Sequence, residues 1–124
     1  MEKIILEYNM KNAPLALLWN YITTDVGLRE WFADEVEVDG KNFKFVWNGV
    51  AHHAHIVASR NGIYIRLRWT DASTSTFFEM KISKSELSDH TTLTITDFEE
   101  PDDVDDTKSL WDSQIEALRR LLGC

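Results

Sequence analysis

The sequence predicts an α+β domain, an antiparallel sheet of about six or seven strands curled round a long final helix, with two short helices after the first strand. Three observations predict it. From Glu35 to Phe98 the apolar residues alternate with polar ones and Asn, Gly, Ser and Asp punctuate short joins. From Val104 to Leu122 the period changes to three and four. A chain of 124 residues with 44% apolar and 27% charged residues has the composition of one globular unit with a core.

The first strand is K-I-I-L-E-Y-N at residues 3–9, with Ile4, Leu6 and Tyr8 on one face. Asn12-Ala13-Pro14 then turns the chain, and Pro14 suits the first turn of a helix that continues through Leu15, Leu18, Trp19 and Ile22 to about Thr23. A second short helix is expected from Asp25, as cap, to Phe32, with Leu28, Trp31 and Phe32 as its apolar side and Gly27 as a weak point.

Glu35 to Trp47 reads as two strands turning at Asp39-Gly40, and Asn48-Gly49 marks a second hairpin turn. Strands follow at residues 51–59, 63–69, 76–83 and 91–98. The joins are short, so an antiparallel meander is the economical topology. The closing helix carries Val104, Thr107, Trp111, Ile115, Leu118 and Leu122 on one stripe, flanked by Leu110, Ala117 and Leu121. Aspartates crowd its start and Arg119 and Arg120 its end, as the helix dipole favours.

A two-residue turn at Asn48-Gly49 pairs Trp47 with Val50, Phe45 with His52, Lys44 with His53 and Asn42 with His55. Phe43, Phe45, Trp47, His52 and Ala54 then share the face with more apolar area, which turns toward the final helix. His53 and His55 point the other way. Ile65, Leu67, Trp69, Phe78, Met80, Ile82, Leu93 and Ile95 also point inward, and Asp97 follows near the rim.

A curved sheet does not touch a straight helix everywhere, so a cavity is expected between them. The candidate ligand-binding residues are Trp31, Phe45, Trp47, His52, Trp69, Phe78, Met80 and Trp111. His53-x-His55 has the spacing of two same-face metal ligands, but no third ligand follows from the sequence, and neither a metal nor another cofactor is expected. No nucleophile elbow, phosphate-binding glycine loop, H-E-x-x-H or C-x-x-C is present. The remaining catalytic reading is a cyclase-like enzyme in which His52 and Asp97 share a proton.

Net charge is -8, and residues 86–106 hold nine acids and no Lys or Arg. That distribution repels nucleic acid. Met1-Glu-Lys-Ile-Ile-Leu-Glu has no long apolar run and no small-residue cleavage site, and no window has the roughly 20 apolar residues of a membrane span, so a cytoplasmic location is expected. The one cysteine, Cys124, forms no internal disulfide.

The strings F-K-F-V-W-N-G at 43–49, I-R-L-R-W at 65–69, S-T-F-F-E-M at 75–80, T-T-L-T-I-T-D-F at 91–98 and W-D-S-Q-I-E-A-L-R-R-L-L at 111–122 carry a family resemblance. In their order and spacing the chain resembles the START-like, Bet v 1-like superfamily, and within it the family related to the C-terminal domain of the activator of the Hsp90 ATPase. The resemblance implies a single START-like domain over residues 1–124 with a helix-grip fold. It also implies a function drawn from a varied set that includes lipid carriers, hormone binders, polyketide cyclases and co-chaperone domains. Two non-catalytic expectations follow: a binding module for a small apolar or amphipathic molecule, or a protein-interaction module. The latter would be a homodimer in its simplest form, using the outer sheet face around Val46, Val57, Tyr64, Phe77, Arg66 and Arg68.

Overall fold

The chain is described here by a computed structural model that covers residues 1–124. In chain order the elements are β1 (Glu2–Asn9), α1 (Leu15–Thr23), α2 (Asp25–Arg29), β2 (Glu35–Asp39), β3 (Asn42–Trp47), β4 (Val50–Arg60), β5 (Tyr64–Trp69), β6 (Phe78–Lys84), β7 (Thr91–Glu99) and α3 (Val104–Leu122), with a short 3-10 turn at Pro101–Asp103. This is the helix-grip architecture expected: seven antiparallel strands around one long helix.

The sheet order is β1-β7-β6-β5-β4-β3-β2. β2 to β7 form the meander, but β1 pairs with β7, at the opposite edge from β2. The α1–α2 segment therefore carries the chain from one edge of the sheet to the other. Its inner sides, Leu18, Ile22 and Leu28, are fully buried against the core.

Asn48 and Gly49 both take left-handed backbone angles (φ 51° and 79°), as a two-residue turn that matches strand twist requires. The register is Trp47 to Val50, Phe45 to His52, Lys44 to His53 and Asn42 to His55. A β-bulge interrupts β4 between Ile56 and Ala58, beyond the histidines, so His52 keeps the inner face while His53 and His55 keep the outer one.

Local details differ from the sequence reading. Pro14 precedes α1 in extended conformation instead of occupying its first turn. Thr24, not Asp25, caps α2, its hydroxyl accepting the Gly27 N–H at 2.9 Å. The helix stops at Arg29, and Trp31 and Phe32 follow in a turn whose amides still bond to the Leu28 carbonyl. Gly27 is a packing requirement more than a weak point, because a methyl there would run into the backbone of Asn20 and Tyr21 on α1. Val46, on the outer face, is only 8% exposed, so it offers little to a partner.

The core lies between the inner sheet face, α1–α2 and α3. Phe45, Leu67, Met80, Leu93, Ile95, Ile115 and Leu118 have no exposed surface, and each such side chain contributes about 1.5–3 kcal/mol on burial. The buried stripe of α3 is narrower than its apolar pattern, since Leu110 is 60% and Leu121 41% exposed. Gly123, at φ 75°, ends the helix, its N–H bonding back to the last turn.

Candidate functional site

α3 is joined to β1 and β7 by hydrogen bonds along its length and leaves a groove on its other side, beside its first half. Trp111, Ile115 and Leu118 are buried, and at mid-helix Tyr8 donates its hydroxyl hydrogen to Asp112 Oδ1 (2.7 Å). Arg119 reaches across to the Asn9 carbonyl (3.0 Å). Beside Thr107, Leu110, Trp111 and Gln114 an open groove of about 470 Å³ remains, lined from the sheet by Trp47, His52 and Trp69.

Phe32 organises its floor. The ring packs on Phe45 (5.1 Å between centroids), Trp47 (5.3 Å), Trp111 (5.7 Å) and Phe78 (6.0 Å). Its carbonyl accepts the Trp47 indole N–H at 2.8 Å and the Gln114 amide at 3.0 Å, tying the end of the α2 turn to β3 and α3 at one point. Trp69 stacks on Phe78 (5.0 Å) and completes the sheet wall. His52 leans edge-on against Trp47 (5.4 Å) and Trp69 (6.2 Å) at the exposed lip.

The opposite wall is polar. Asp97 accepts the Trp111 indole N–H at 2.9 Å and the Phe98 backbone N–H at 2.7 Å. Burial pushes its carboxyl above the usual range; the two hydrogen bonds oppose this, and the nearby Glu99 charge adds to it. Glu99 in turn accepts the Thr107 hydroxyl at 3.0 Å. Neither acid takes part in an ion pair.

Of the eight residues singled out from sequence, Trp47, His52, Trp69 and Trp111 border the groove. Phe45, Phe78 and Met80 lie behind it in the closed core, and buried Trp31 spends its indole N–H on the Tyr21 carbonyl at 2.8 Å. Asp97 and His52 line the same groove without a hydrogen bond between them, because Asp97 is engaged by Trp111 and Phe98. His53 and His55 lie on the outer face, and no three His, Cys, Asp or Glu side chains are grouped to hold a metal ion.

Sequence reasoning passed over Phe32, Glu99, Leu110 and Gln114 as groove residues. A signal was present: Thr107 and Gln114 sit at stripe spacing around Trp111, and polar side chains there mark a stretch of helix that does not meet the core. A second hollow of similar volume lies on the surface between α1 and α2, walled by Leu17, Asn20, Tyr21, Thr24 and Glu30. It lacks the convergent aromatic floor, which is why the sheet–helix groove is the candidate site.

This combination defines a helix-grip domain with an aromatic groove open at one end of its gripped helix. The chain belongs to the START-like superfamily, whose domain profile matches residues 1–124. It is similar to the solution structure of BfR322 from Bacteroides fragilis, at 44% identity over 97% of this chain and 90% of that one, with a TM-score of 0.69. The Aha1 dimer from Colwellia psychrerythraea shares the fold at 18% identity, with 98% and 96% coverage and a TM-score of 0.80. MLL2253 from Mesorhizobium loti does so at 16% identity, with 98% and 97% coverage and a TM-score of 0.77. A search of curated proteins gave no match. No helix is long and apolar enough to cross a membrane.

Proposed function

We propose that this chain is a cytoplasmic binding module for a small apolar or amphipathic molecule held in the groove between Trp47, Trp69, Trp111 and Leu110. One observation carries the reading: beside the first half of α3, Phe32, Trp47, Trp69 and Trp111 line an opening of about 470 Å³. That volume is in the range of small-molecule sites, and a mostly apolar wall with a few fixed polar groups is their usual make-up. The ligand would lie in the mouth of the sheet–helix space, because Phe45, Phe78 and Met80 already fill its depth. With one cysteine and no disulfide, the chain suits a reducing compartment.

The test is a titration with 1-naphthalenemethanol followed by tryptophan fluorescence. Saturable binding is expected, and His52→Trp, which places a large ring across the lip, should weaken it at least about tenfold by occlusion. Leu17→Arg, in the other hollow, should leave it unchanged. Equal affinity of His52→Trp and the unaltered protein would remove the groove from consideration.

A second reading is a homodimer formed through the outer sheet face. It is favoured by the dimeric state named for the Colwellia structure and by Ile5, 58% exposed, beside the Phe77–Phe98 pair whose rings meet at 5.0 Å. Light scattering that reports a monomer at about 0.5 mM would exclude a dimer with the affinity of ordinary stable interfaces.

A further inference from the structure

We infer that the groove selects organic cations: a protonated amine or quaternary ammonium carried on a small aromatic or apolar body. This deepens the binding reading above and rests on it.

The charged side chains that line the groove are both acidic. Asp97 and Glu99 stand two residues apart on the inner face of β7, and no Lys or Arg is among the lining residues. An ionised carboxylate offers about four lone-pair sites. Asp97 uses two, for Trp111 and Phe98, and Glu99 uses two, for Thr107 and the Glu100 N–H at 3.0 Å. Those donors fix both groups in place and leave acceptor capacity on each. All of them are neutral, so neither negative charge is compensated by a cation of the chain.

The aromatic wall has the complementary property. The faces of Trp and Phe rings carry negative potential and attract a cation held within about 6 Å. Trp47, Trp69, Trp111 and Phe32 surround the same opening as the two carboxylates. On the outer sheet face the chain already shows this attraction, with the Arg66 guanidinium 4.2 Å from the Phe77 centroid. An anionic ligand meets the reverse: like charge in a partly desolvated site, approached across a surface whose 86–106 segment holds nine acids and no Lys or Arg.

Three probes of matched shape separate this inference from the binding reading beneath it: 1-naphthylmethylammonium, 1-naphthalenemethanol and 1-naphthylacetate. Their affinities would be measured by tryptophan fluorescence at pH 7 and low salt. The ammonium should bind about tenfold or more tightly than the alcohol, and the carboxylate more weakly than either. Asp97→Asn keeps an acceptor for Trp111, and Glu99→Gln keeps one for Thr107; each should reduce the ratio of ammonium to alcohol affinity severalfold. Raising salt should narrow the gap.

Equal binding of the three probes would overturn the cation inference and leave the groove as a neutral apolar site. Absence of saturable binding for all three would overturn both. An ammonium preference undiminished by Asp97→Asn and Glu99→Gln together would mean that the two carboxylates do not set the selectivity, and would overturn the assignment.

Discussion

The two halves of α3 are built from the same kind of sequence and do different things. Its second half carries Ile115 and Leu118, both without exposed surface, and is pinned to β1 by the Arg119–Asn9 hydrogen bond, with Tyr8–Asp112 joining the two elements at mid-helix. Its first half carries Thr107, Leu110 and Trp111, and of these only Trp111 is buried. The closed half supplies stability. The open half faces the partly exposed Trp47 and Trp69 rings and the two uncompensated carboxylates of β7, features that cost stability and that a ligand would relieve.

Substitution in each half is the strongest way to break that contrast. Leu118→Ala should cost about 2–5 kcal/mol by leaving a cavity in the closed core. Leu110→Ala, at the groove's lip and 60% exposed, should stay within about 0.5 kcal/mol. Urea unfolding of the two variants reads both, and equal losses would mean that the halves are not distinct.

Gly27→Ala comes next. The added methyl meets the Asn20 carbonyl and Tyr21 Cα, atoms of α1's backbone that cannot swing aside. A loss of about 1–3 kcal/mol is expected, as for overpacking. Because α2 leads into the turn carrying Phe32, this variant should also weaken probe binding in the groove, whereas Leu118→Ala should affect stability first.

Tyr8→Phe removes the mid-helix latch between α3 and β1 and should cost about 1 kcal/mol at neutral pH. Burial, then the Asp112 hydrogen bond and charge, raise the Tyr8 hydroxyl above its ordinary value, with Arg119 opposing. Its contribution is therefore fully present below about pH 10, the unfolded value, and is lost as pH rises through the higher folded one. Thermal melts should show the unaltered protein losing stability more steeply than Tyr8→Phe above pH 10.

The smallest effect belongs to the open end. Asp97 is also raised, by burial first, so its ionisation works against folding. The stability linked to it is present below the carboxyl's ordinary value and lost as pH climbs through the folded one. Asp97→Asn should accordingly raise Tm slightly at pH 7, and the gain should vanish in acid. A lower Tm at pH 7 would mean that the carboxylate is stabilised by something other than Trp111 and Phe98.

The contrast between halves also marks what could be read from sequence. Asn48-Gly49 dictated a two-residue turn, that turn set the register, and the register put His52 on one face and His53 and His55 on the other. Strand alternation and the α3 period did the same for most of the core. The place of β1 beside β7 was not readable, because no short join links them and the pairing is decided by where α1–α2 deliver the chain. The groove was half readable for a related reason. Trp47, Trp69, Phe45 and Phe78 follow one inward pattern, yet the first two reach the opening and the last two fill the core. Alternation reports which face a side chain takes, while sheet curvature and the position of Phe32 decide how deep it lies.

The most direct measurement is the response of the five indole N–H signals in a 15N-labelled sample titrated with 1-naphthalenemethanol. Trp47, Trp69 and Trp111 border the groove, while Trp31 is buried behind it and Trp19 lies on α1, packed against the core. The account predicts that the first three shift together with one saturating curve and that Trp31 and Trp19 stay in place. Shifts confined to Trp31 and Trp19, or none among the five, would contradict it.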